Sequence, residues 1–127
     1  MSKDKLLQLV TAYLEAYSQK DADGCARAFT SDGASFSPYG PPATGRQAIA
    51  DTHKKWFEEP EEDKQIEVLE FELEGESGFC LLRWSAKVPD ETDASGYSIT
   101  AGVSLCVLKL EENELLFSRL ALVPESV

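Results

Sequence analysis

The chain has 127 residues, 43% hydrophobic and 28% charged, with a formal net charge of −11. Its length fits one domain, residues 1–127, which at this size buries roughly two-thirds of its unfolded surface. The acidic balance argues against nucleic acid and against an anionic membrane as partners.

No apolar run is long enough to span a bilayer, and the first residues lack the apolar core and cleavage site of a signal peptide. The cysteines, Cys25, Cys80 and Cys106, are odd in number and widely spaced. They fit neither a disulfide framework nor a zinc spacing, so a cytoplasmic location with free thiols is expected. One histidine excludes a multi-histidine metal site, and no nucleotide, flavin or metal motif is present. No cofactor is expected, and metal binding is left to carboxylates alone, for which no motif is present.

In chain order, Leu6, Val10, Tyr13, Leu14 and Tyr17 recur at helical spacing, with Ser2 or Asp4 as cap. The turn K-D-A-D-G ends this helix, and Asp21 or Asp23 can cap a second, short one carrying Ala26 and Phe29 inward. S-D-G leads into a short strand over Ala34 to Ser37. P-Y-G-P-P-A-T-G reads as an irregular loop. A third helix starts after Gly45 and aligns Ile49, His53, Trp56 and Phe57 on one face. Pro60 breaks it, and E-E-P-E-E-D reads as a solvated loop.

The remainder alternates with period two. Lys64 to Glu74 places Leu69, Phe71 and Leu73 on one face and Glu70, Glu72 and Glu74 on the other. Strands over Phe79 to Val88, Tyr97 to Leu110 and Leu115 to Val123 follow, separated by turn segments. Helices followed by a meander argue an α+β fold with helices on one face of a curved antiparallel sheet. G-V-S-L-C-V-L-K-L is apolar on both faces. If Ser104, Cys106 and Leu108 face the helices, then Val103, Leu105 and Val107 need cover, which a second subunit would supply.

Three segments, Y-L-E-A-Y-S-Q-K-D, A-F-T-S-D-G-A and G-R-Q-A-I, resemble the nuclear transport factor 2-like superfamily. That superfamily includes ketosteroid isomerases and SnoaL-like polyketide cyclases. The resemblance implies a cone-shaped α+β fold, with three N-terminal helices on a curved antiparallel sheet around a pocket. It leaves the reaction open. By analogy with the isomerases, Tyr13 matches the oxyanion tyrosine, and His53 the position of a supporting second tyrosine. The isomerase base falls near Ser37 and its protonated acid near Cys106, so two of three catalytic groups are replaced. No inward strand acid of the cyclase type is evident. Arg83 and Arg119 are candidates for an inward arginine like that of limonene epoxide hydrolase, another relative, without its partner aspartates, or for outward arginines at a subunit interface or paired with the Glu70 and Glu72 strand face.

Tyr13 is thus a candidate donor to a ligand carbonyl or a packed helix tyrosine. His53 is a candidate proton carrier or a buried histidine satisfied by Tyr13 or a backbone carbonyl. Cys106 is a candidate nucleophile, although apolar surroundings favour an inert structural thiol. Tyr17, Phe36, Ser37, Trp56 and Trp84 complete the expected pocket lining, the aromatics being equally compatible with plain core.

Two classes of function follow. One is a pocket protein for a small, largely apolar molecule, extending to a cofactor-free isomerase or cyclase that lacks the usual acidic base. The other is a dimeric interaction scaffold with a filled interior.

Overall fold

The computed structural model describes residues 2–125. Helix α1 spans Lys3–Ser18, and Ser2 caps it by accepting from the Lys5 amide. Helix α2 spans Ala22–Arg27 and is capped by Asp21, whose carboxylate accepts from the Gly24 amide at 3.0 Å. These short polar side chains satisfy amides that have no partner within the helix.

Strand β1 (Phe29–Phe36) begins well before its expected start at Ala34, so Phe29 opens a strand instead of lying on α2. The Gly/Pro loop is also less irregular than its composition suggests. Ala43 and Thr44 form β2 and pair antiparallel with Ser35 and Ala34. Both retain the amide that their proline neighbours lack. Gly45, at a φ of 88°, then turns the chain into α3 (Arg46–Trp56).

The long strands are β3 (Glu62–Glu74), β4 (Ser77–Pro89), β5 (Tyr97–Glu111) and β6 (Glu114–Pro124). One six-stranded sheet results, in the order β2-β1-β6-β5-β4-β3. It is mixed, which corrects the antiparallel expectation. The β3 to β6 meander alternates direction through its hairpins, but β1 pairs with β6 in parallel. No hairpin ties β1 to its neighbour β6, since the chain leaves β1 through α3 and returns only after the meander.

On the inner face, Cys80 and Leu82 of β4 cluster with Cys106, Leu108, Phe117 and Leu120 of β5 and β6, and Trp84 and Ala86 of β4 are buried as well. Leu6 and Ile49 from the helices close this core, both fully buried. On β5, Ser104, Cys106 and Leu108 are buried while Leu105 and Val107 are exposed, as the alternation predicts.

Bulges decide the faces of β3. Val68 pairs with Leu82 and Glu70 with Leu81, so Leu69 is an extra residue on its strand. It turns outward and is 49% exposed, while Val68, Phe71 and Leu73 pack against the core. The expected grouping of Leu69 with Phe71 and Leu73 is corrected accordingly, because an extra residue reverses the alternation beyond it.

Candidate functional site

Between the helices and the inner sheet face lies a cavity of about 730 Å³. Its helical wall carries Tyr13 and Tyr17 from α1 and His53 and Trp56 from α3. Its floor carries Trp84, Ser104 and Leu120 from the sheet. The rim includes Tyr39, Pro41 and Pro42 of the loop between β1 and β2.

His53 is 1% exposed yet fully hydrogen-bonded. Nδ1 lies 2.8 Å from the Ile49 carbonyl, one helical turn back. A carbonyl only accepts, so Nδ1 carries the proton. Nε2, 2.8 Å from the Tyr13 hydroxyl, is then the acceptor, and Tyr13 donates to it. Burial lowers the His53 pKa to about 4, opposed by the Ile49 hydrogen bond and helped by Lys64. Burial likewise raises the Tyr13 phenol well above its ordinary value. Both rings are therefore neutral at pH 7. The Tyr13 proton is already engaged, so the hydroxyl offers a ligand only its lone pairs in this arrangement.

A second polar pair lies on the cavity wall. Lys64 Nζ sits 4.5 Å from the Tyr17 ring centroid and 4.6 Å from that of Trp84. Glu61 Oε1 is 3.4 Å from this ammonium and accepts from the Tyr17 hydroxyl at 3.0 Å. Desolvation pushes the Lys64 pKa down, and Glu61 opposes the shift. Desolvation and the Glu61 charge both raise the Tyr17 phenol.

Backbone geometry puts this pair inside. Residues three apart on a regular strand face opposite sides. Here Glu62 pairs with Lys87 and Gln65 with Ser85, an extra residue on β3, and Asp63 takes a φ of 54°. The bulge lets Glu61 and Lys64 both reach the cavity while Glu62 turns outward.

Residues 10–111 match the family model of the SnoaL-like domain. The chain belongs to the SnoaL-like domain family. It thereby lies in the nuclear transport factor 2-like superfamily, and solved structures share its fold. A ketosteroid isomerase-like protein from Erwinia carotovora atroseptica is 21% identical, with a TM-score of 0.79 over 94% of this chain and 93% of that one. ActVI-ORFA from Streptomyces coelicolor is 18% identical, with a TM-score of 0.76 over 98% and 97% of the two chains. A protein of unknown function from Mycobacterium tuberculosis is 18% identical, with a TM-score of 0.80 over 97% and 71%. No curated protein matches the chain significantly.

In this SnoaL-like domain Tyr13, Tyr17, Ser37, His53, Trp56 and Trp84 come together around the cavity. Phe36 does not. It points to the outer sheet face and is 41% exposed. Phe36 and Ser37 are adjacent, so they do not share a face; Ser35 and Ser37 point inward together. Cys106 is also outside the cavity lining. It is fully buried opposite Cys80 across the β4–β5 pair, and contact with that thiol, together with burial, raises its pKa. Cys25 is buried as well, and desolvation pushes its thiol up to about 12.

Arg83 and Arg119 face outward, the first paired with Glu125 and the second donating to the Asp32 and Ser118 carbonyls. Among the described residues no group of three or more His, Cys, Asp or Glu is placed to hold a metal ion. None of their helices is long and apolar enough to cross a membrane.

Sequence reasoning missed Glu61 and Lys64. Glu61 sits in the acidic run read as a solvated loop. Lys64 shares period-two spacing with Ile66 and Val68, a cationic residue in phase with an apolar face, and that signal was legible.

Proposed function

We propose that this SnoaL-like domain binds a small, largely apolar molecule in the cavity between its helices and sheet. The cavity itself supports this reading. Its volume falls within the range of ligand pockets, and most of the surface its aromatic walls present is apolar, with the charged Asp51, Lys55, Glu59, Glu61 and Lys64 among the lining. A scaffold with a filled interior would need those rings to close on one another. The neutral, mutually bonded Tyr13 and His53 favour binding over proton transfer. A cofactor-free isomerase or cyclase is the second reading. It is favoured by the Glu61 carboxylate, an acidic group at the cavity where the isomerase base position holds serine.

The test is titration with the neutral apolar fluorophore N-phenyl-1-naphthylamine. Saturable one-to-one binding, lost in an Ala48→Trp variant that fills the cavity, is expected. No saturable binding would return the scaffold reading.

Two further points rest on the same footing. The outer face, with Ile99, Leu105, Val107 and Val123 exposed, supports a homodimer. Sedimentation showing only a 14.0 kDa species at micromolar concentration would refute it. Three free buried cysteines support a cytoplasmic location, which cell fractionation would test.

A further inference from the structure

We propose that Lys64 is the head-group anchor of the cavity and takes a neutral carbonyl oxygen on a flat, apolar ligand. The inference rests on the binding reading above and adds the chemistry of the ligand's polar end.

An ammonium has three donors. Among the described residues Lys64 Nζ has one acceptor, Glu61 Oε1, at the long distance of 3.4 Å. Its other near neighbours are ring faces, those of Tyr17 and Trp84. Rings attract a cation but leave its N–H groups without an oxygen. The side chain is only 12% exposed, so bulk water is a poor substitute. An ammonium this enclosed is costly to leave incompletely bonded. Trp84, 6% exposed and lining the same cavity, adds a second unmet donor: its indole Nε1 has no hydrogen-bond partner among the described residues.

The polar groups of the helical wall are engaged. Tyr13 donates to His53, His53 to Ile49, and Tyr17 to Glu61. Lys64 adds to this wall an enclosed ammonium with donors to spare, between two aromatic rings, whereas the other lysine of the lining, Lys55, is exposed. That arrangement suits an oxygen acceptor on a conjugated, planar body. Charge selects the kind of oxygen. Glu61 already balances Lys64, so a carboxylate would bring a second negative charge beside Glu61, whereas a carbonyl adds none.

Matched probes test this: 2-acetylnaphthalene, 2-isopropenylnaphthalene, in which a methylene replaces the oxygen, and 2-naphthoate. Binding is read from quenching of tryptophan fluorescence, since Trp56 and Trp84 both line the cavity. The ketone is expected to bind about tenfold tighter than the hydrocarbon, the scale of one charge-assisted hydrogen bond. Lys64→Met should erase that preference and leave hydrocarbon binding within about twofold. Glu61→Gln should leave the ketone preference in place and strengthen naphthoate.

Equal affinity for ketone and hydrocarbon in the wild type overturns the proposal, as does a ketone preference surviving in Lys64→Met. Naphthoate binding better than the ketone in the wild type overturns the choice of a neutral oxygen. If no probe binds and N-phenyl-1-naphthylamine also fails, the cavity reading falls and this inference with it. If only the fluorophore binds, the cavity reading stands and the carbonyl anchor falls. A Lys64→Met chain that fails to fold shifts the test to Lys64→Gln, where the preference should drop toward that of a neutral donor.

Discussion

Two polar pairs face one cavity, and they are built differently. Tyr13 and His53 form a closed pair: each hydrogen has an acceptor, both rings are neutral, and distances are short. Lys64 and Glu61 form an open pair: charged, held at 3.4 Å, with donors to spare. The closed pair fits a role in holding α1 against α3. The open pair has capacity left for a ligand. Polar residue type alone does not separate these roles; the count of satisfied donors does.

The largest effect should come from breaking the closed pair. His53→Ala is expected to cost about 4 kcal/mol in urea unfolding, from the cavity left and the Tyr13 hydroxyl stranded. A cost below about 1 kcal/mol would show that the pair holds little together.

Acid should reach the same pair by another route. The unfolded imidazole protonates at its ordinary 6.5 and the folded one only near 4. As pH falls, the unfolded state therefore takes up the proton first. The His53 contribution is complete above pH 6.5, declines down to about pH 4 and levels off below. The loss is about 3 kcal/mol. His53→Gln should lack this slope, and parallel pH profiles for the two proteins would contradict the assignment.

A smaller effect tests the floor beneath the open pair. A methyl group on Gly102 would lie 2.5 Å from Trp84 Cζ2 and 2.6 Å from the Val123 carbonyl. Gly102→Ala should cost about 2 kcal/mol and shift tryptophan emission as the indole is displaced. Unchanged emission would mean that Trp84 is not held by this contact.

Lys64→Met should have the smallest effect on stability, within about 1 kcal/mol, because it removes a poorly satisfied ammonium and keeps the apolar stem. A large loss would place Lys64 in the structural class with His53.

Much of the architecture is legible from periodicity. The helical faces of α1 and α3 place Tyr13, Tyr17, His53 and Trp56 on one wall, and the β5 alternation sends Ser104 and Cys106 inward. Superfamily membership is legible too, in short segments around the first helices. Bulges are not, because an inserted residue leaves no mark in a two-residue pattern. Leu69 accordingly falls on the unexpected face, and the bulge at Asp63 brings Glu61 into the cavity beside Lys64.

The sequence by itself determined the order of helices and strands, the acidic charge and the polar residues of the helical wall. These follow from local spacing and composition. Tertiary structure alone decided the parallel β1–β6 pairing, the outward turn of Phe36, the closed hydrogen bonding of His53 and the buried ammonium of Lys64. Each depends on register between segments distant in sequence, where one extra residue reverses a face and one neighbouring acceptor settles a proton.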